Sequence, residues 1–143
     1  MDDPHNLQRF VDAQDGVFET ALAELRAGAK QSHWMWFIFP QLAGLGHSPT
    51  AQFYAIGSAD EARAYLEHSL LGPRLRQCVE ALLTHAGHRS SEGILGSVDA
   101  LKLRSSLTLF DLVAPHDLFQ RALAAFFAGE PDARTLALIG SAR

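Results

Sequence analysis

The sequence predicts an all-α fold, a single compact domain over residues 1–143 built from about seven or eight short helices in irregular orthogonal packing. Helix-start signals recur along the chain, as Ser48-Pro49, Ser58-Ala59-Asp60-Glu61 and Gly72-Pro73. Between them apolar residues return at helical spacing, whereas the alternation expected of strands scarcely appears. The chain carries no internal repeat, linker or composition break that would divide it, and the estimated helix lengths are too short and unequal for a long-helix bundle.

In order along the chain, Asp3-Pro4 and Gly28 bracket a first helical region interrupted near Asp15-Gly16, with Phe10, Phe18, Leu22 and Leu25 as candidate core positions. Ser48 caps a short helix that has Pro49 at its first position, runs through Tyr54 and stops by Gly57. The Ser58–Glu61 capping box opens a helix carrying Ala62, Tyr65 and Leu66. Gly72-Pro73 starts the next, with Leu75, Val79, Leu82 and Leu83 on one face and an end at Gly87. Arg89-Ser90-Ser91 reads as a polar turn, and Ser97 as the cap of a helix over 98–113 whose apolar residues cover a broad arc, marking it as central. Pro115 is expected to open a strongly amphipathic helix ending at Gly129, and a last helix covers 131–139, stopped by Gly140.

Composition narrows the function classes. Sixteen acidic against twelve basic side chains give a formal charge of −4, so attraction to a nucleic-acid backbone is not expected. The longest apolar runs, 34–39 and 122–128, fall far short of the ~20 residues a membrane-spanning helix needs, and no membrane contact is expected. With Cys78 as its one cysteine the chain can form no internal disulfide, and its acidic, polar start lacks the pattern of a secretory leader; a cytoplasmic location follows as the expectation. Seven histidines offer one close pair, His85 and His88, with no third ligand at a recognised spacing, so neither a metal nor another cofactor is expected. Cys78 reads as a buried apolar residue, since Arg74 is its one basic neighbour at helical spacing and no histidine marks it as a nucleophile.

One segment departs from this pattern. No carboxylate occurs between Glu24 and Asp60, where overall composition would place about four. That window contains Lys30-Gln31-Ser32-His33-Trp34-Met35-Trp36-Phe37-Ile38-Phe39-Pro40-Gln41, with both tryptophans of the protein. The run 30–42, followed by Gly44-Leu45-Gly46, Ser48, Ala62, Tyr65, Leu66 and Leu71-Gly72-Pro73-Arg74-Leu75, resembles the domain of unknown function 1810 family. Asp99-Ala100-Leu101-Lys102-Leu103-Arg104-Ser105-Ser106-Leu107-Thr108-Leu109-Phe110 resembles the family's second signature. The resemblance implies a mainly helical single domain and brings no catalytic residues with it.

Apolar all round, 34–39 reads as core, or alternatively as a pocket wall in which Trp34, Trp36 and Phe37 face a ligand. The polar residues around it, Lys30, His33, Gln41, His47 and Tyr54, make it the candidate binding segment, Lys30 offering charge to an anion. Lys102, Ser105, Ser106 and Thr108 interrupt the central helix; the hydroxyls either bond to carbonyls one turn back or, with Lys102, complete a polar pocket. Gly44-Leu45-Gly46-His47-Ser48 precedes a helix start but matches no nucleotide-binding fingerprint.

Two functions compete. In the first the protein is a small-molecule-binding domain, with or without catalysis, whose pocket takes a phosphate-bearing or nucleotide-like anion where 30–54 meets Lys102; His33 is the candidate proton shuttle, Lys30 or Lys102 the charge stabiliser, and Tyr54 or Ser105 the supporting donor. Lys30 is then expected to matter for binding and not for stability. In the second the protein is a non-enzymatic interaction or structural module, with excess aromatic area at Phe119, Phe126 and Phe127.

Overall fold

The computed structural model describes residues 2–141, the last by its backbone alone; Met1, Ala142 and Arg143, which the 1–143 domain reading includes, lie outside the described residues. Among those described, ten helices follow one another with no strand between them. They are α1 (Gln8–Gln14), α2 (Phe18–Ala27), α3 (Met35–Ile38), α4 (Pro49–Phe53), α5 (Ala59–Glu67), α6 (Leu71–Leu83), α7 (Ser91–Leu95), α8 (Ser97–Val113), α9 (Leu118–Phe127) and α10 (Ala133–Ser141). The all-α expectation holds, with more helices than the apolar spacing indicated. The two additional ones, α3 and α7, are four and five residues long, too short to display a period. Ser90, expected in a polar turn, instead caps α7 by accepting from the Gly93 amide at 3.0 Å.

Several boundaries fall where local chemistry set them. Ser48 Oγ accepts from the Ala51 amide at 3.1 Å with Pro49 at the first helical position, and Ser58 Oγ accepts from the Glu61 amide at 3.1 Å. The capping box closes differently from expectation, because Glu61 turns its carboxylate to the Gly57 amide and to Arg9 at 2.7 Å. Arg9 also donates to the carbonyls of Phe53 and Ala55, so one guanidinium fastens α1 to the link between α4 and α5. The first helix begins at Gln8, a turn later than Asp3-Pro4 suggested, since Asp3 spends its carboxylate on the Leu7 and Gln8 amides. Likewise α9 starts at Leu118, after His116 takes a left-handed φ of 61° and Asp117 becomes the cap. At the other end α10 continues through Gly140.

α8 is the organising element: α5, α7, α9 and α10 all pack on it, and its residues from Ser105 to Phe110 are buried. A single apolar cluster runs from Leu7 to Ile139 around it, with Phe10, Tyr65, Phe110 and Phe119 in successive ring contact at 5.1 to 5.7 Å. Between α3 and α5 the chain makes one isolated parallel bridge, Leu42 with Ile56, through bonds of 2.8 Å on either side. This bridge pins the loop that carries Gln41 to Gly46. Cys78 is buried, and desolvation pushes its thiol up to about 12, which agrees with an apolar role.

α6 can follow α5 so closely only because residue 72 is glycine: a methyl group there would overlap the Leu66 carbonyl oxygen, which belongs to backbone and cannot rotate away. Gly72→Ala is therefore expected to cost about 3 kcal/mol in denaturant unfolding at neutral pH, a large penalty for one methyl group.

Candidate functional site

The aromatic segment is held from below by an acid at its border. Glu24, in the last turn of α2, accepts from the Gln31 amide at 2.7 Å, the Ser32 amide at 2.9 Å, the Ser32 hydroxyl at 2.5 Å and the Trp34 indole at 3.0 Å. Desolvation alone would push this carboxyl up; the four donors outweigh it and hold the group at about 2. Trp34 is 0% exposed and packs at 6.3 Å from the Phe39 ring, so it belongs to the core.

Lys30 reaches across to α8. Its ammonium donates to the Ser32 carbonyl at 2.6 Å, meets Asp99 Oδ2 at 3.0 Å and lies 5.0 Å from the Trp34 ring centre. The other oxygen of Asp99 takes Lys102 at 3.3 Å, and Lys102 in turn sits 3.7 Å above the Trp36 ring. One carboxylate thus serves two amines, each covering a tryptophan, and the trio retains a formal positive charge. Lys30 is sealed, its side chain 10% exposed, whereas Lys102 at 21% reaches solvent.

Beside Lys102 the surface opens into a cleft of about 320 Å³. Trp36, Gln41, Leu45 and Gly46 form one side, and one face of α8 (Val98, Leu101, Lys102 and Ser105) forms the other. Asp132 and Arg134, at the start of α10, complete it. Gly46 is needed for this arrangement, since a Cβ there would lie 2.6 Å from that of Ala51. Thr108 fixes α10 in place: its hydroxyl donates to the Arg104 carbonyl at 2.7 Å and accepts from the Asp132 amide at 2.8 Å. Asp132 spends one oxygen on the Thr135 amide and hydroxyl, at 2.9 and 2.6 Å. Among the described residues the Trp36 indole N–H, the Gln41 carboxamide and the Arg134 guanidinium have no hydrogen-bonding or ionic partner, and none of the three is sealed from water.

Of the residues expected from sequence, the cleft therefore gathers Trp36, Gln41, Lys102 and Ser105. Lys30 contributes through Asp99 and does not line it. Trp34 is buried, and His33 and His47 are exposed away from the lining. Tyr54 meets Phe10 and Phe37 at tilted angles and Phe53 edge-on, lies outside the cleft lining, and borders with Trp36 a hollow of about 10 Å³, roughly the space of one water. Phe37 lies in that ring cluster too, outside the cleft. Ser105 and Thr108 bond back to carbonyls one turn earlier, as the simpler reading of these hydroxyls required, whereas the buried Ser106 hydroxyl has no partner among the described residues. The proposed aromatic excess after Pro115 is absorbed inward: Phe119 is buried, and Phe126 and Phe127 pack against the core.

Sequence reasoning missed Asp99, Leu45, Val98, Leu101, Asp132 and Arg134. The i, i+3 spacing of Asp99 and Lys102 signalled their pair, but nothing local placed α10 against α8. Among the described residues no group of three or more His, Cys, Asp or Glu is placed to hold a metal; His85 donates from Nε2 to the Leu25 carbonyl at 2.8 Å. Nor is any helix there long and apolar enough to cross a membrane.

Lys30→Ala would remove a sealed ammonium that bonds both Asp99 and the Ser32 carbonyl, leaving that carbonyl and one carboxylate oxygen without it; we expect a loss of about 2–4 kcal/mol in chemical unfolding, contrary to the dispensability its acid-free surroundings suggested. Glu24 sets a pH dependence. Its folded-state carboxyl is depressed from 4.5 to about 2, so its contribution is fully present above pH 4.5 and disappears as pH falls through about 2. The stability gap between the parent protein and Glu24→Gln, measured by urea unfolding, should accordingly be widest near neutrality and narrow steadily below pH 4.5.

None of the curated proteins matches this chain in sequence. Among solved structures, the crystal structure of a conserved hypothetical protein from Mycobacterium tuberculosis is similar at 50% identity, with a TM-score of 0.93 over 96% of this chain and 99% of that one. The model of the DUF1810 family, described as a protein of unknown function, matches residues 4–139. Spanning nearly the whole domain, from Pro4 to the last buried isoleucine of α10, that match makes the chain a member of the DUF1810 family.

Proposed function

We propose that the protein is a small-molecule-binding domain whose ligand carries an anionic group and occupies the cleft between the aromatic segment, α8 and α10. The observation that carries this reading is the ammonium of Lys102: it is half-satisfied by a carboxylate it shares, braced on the Trp36 ring, and open to a cleft of about 320 Å³. That volume lies at the low end of ligand pockets, which run from ~300 to 1,000 Å³. Arg134 adds a second cation with no acidic partner among the described residues. His33 stands outside the lining, so the arrangement supports binding without assigning a proton-transfer role.

A competing reading, a protein-interaction surface, draws on Val98 and Leu101, which are 65% and 64% exposed.

Thermal unfolding distinguishes the two. A panel of phosphomonoesters, nucleotides and organic carboxylates should contain an anion that raises the melting temperature by about 5–10 °C at a hundredfold excess over its dissociation constant. Lys102→Ala should remove that shift at little cost in stability, since Asp99 keeps Lys30. No shift with any anion, together with self-association or partner binding abolished by Val98→Ser, would favour the interaction surface.

A further inference from the structure

We infer that the cleft selects a singly charged organic anion with an apolar body, such as an aryl- or alkyl-carboxylate, and discriminates against polyphosphates. This rests on the binding reading above and names the ligand class for the same site. The first observation is the split character of the α8 face. Val98, Leu101, Lys102 and Ser105 fall on one side of the helix within two turns, two apolar residues beside one cation. Val98 and Leu101 remain largely exposed although α8 is buried from Ser105 to Phe110. Leu45 and the Trp36 ring continue the apolar surface across the cleft, giving a ligand body somewhere to leave water.

The second observation is charge. Lys30 and Lys102 share Asp99, and Asp132 and Arg134 stand in the same lining without pairing, so three cations are set against two carboxylates and the region carries one formal positive charge. One negative charge is matched there; of the three or four on a polyphosphate, two or three would be left unmatched beside Asp132. The third is the donor set. Arg134 presents a fork suited to a planar carboxylate, and Lys102, the Trp36 N–H and the Gln41 carboxamide add single donors, without the run of backbone amides on which polyphosphates are usually cradled. The glycine-bearing turn at 44–48 does not supply one, because Ser48 already caps the five-residue α4 with its own side chain.

The test is calorimetric titration of the full chain with 3-phenylpropionate, hexanoate, acetate, the neutral 3-phenylpropanol, AMP and ATP. The two apolar carboxylates are expected to bind at least tenfold more tightly than acetate, the alcohol or ATP. Leu101→Ser, at a position already exposed and so compatible with folding, should weaken them by about tenfold. Arg134→Ala should do the same while leaving the weak binding of the alcohol unchanged. If AMP or ATP binds better than either carboxylate and Leu101→Ser has no effect, the inference falls and the anion-binding reading stands. If no anion binds, both fall; if the alcohol binds as well as the acid, the claim to anion selectivity falls.

Discussion

The carboxylate of Asp99 is the constraint on which the candidate site depends. It lies in the first turn of α8, where the helix dipole favours negative charge, and it receives one amine from the loop after α2 and another from the next turn of its own helix. Each amine is also laid over an indole ring, so the attraction fixes the aromatic segment to α8 as well as neutralising charge. Sharing matters more than pairing. A carboxylate matched one-to-one would leave no excess of charge, whereas this one leaves a single positive charge and places its accessible half at Lys102.

The cleft needs a second fastening, and the Thr108 hydroxyl provides it. By donating to Arg104 and accepting from Asp132 it uses both of its capacities and holds the start of α10 to the middle of α8. Arg134 is brought to the lining by that contact. Glu24 plays the corresponding part on the opposite wall, since its four donors hold the turn from which Trp34 enters the core and Trp36 emerges toward the cleft. The site is thus assembled from three side chain-mediated links, of which the Lys30–Asp99 and Thr108–Asp132 contacts join elements distant in sequence and the Glu24 contacts close a turn locally.

Legibility followed the range of each interaction. Ser48-Pro49 and Ser58 announced α4 and α5 because a cap closes within three residues, and the amphipathic pattern after Pro115 announced α9. α3 and α7 were hidden because one turn of helix has no period to read. In the site, Trp36, Gln41, Lys102 and Ser105 were legible as polar or aromatic residues out of keeping with their surroundings. The acid-free window misled for Lys30, whose counter-ion arrives from α8, and His33, singled out by its neighbours in sequence, is exposed and outside the cleft lining.

By itself the sequence determined an all-helical domain, most of its helix starts and the segment where unusual chemistry is concentrated, since caps, glycines and 3.6-residue spacing act over a turn or two of backbone. Tertiary structure alone decided which of two lysines is sealed and which is open, that Trp34 is core while Trp36 is wall, and that Arg134 joins Trp36 and Lys102 in one lining. Those outcomes depend on which distant side chains packing brings within a few ångströms, and charge and burial take their values only once those neighbours are in place.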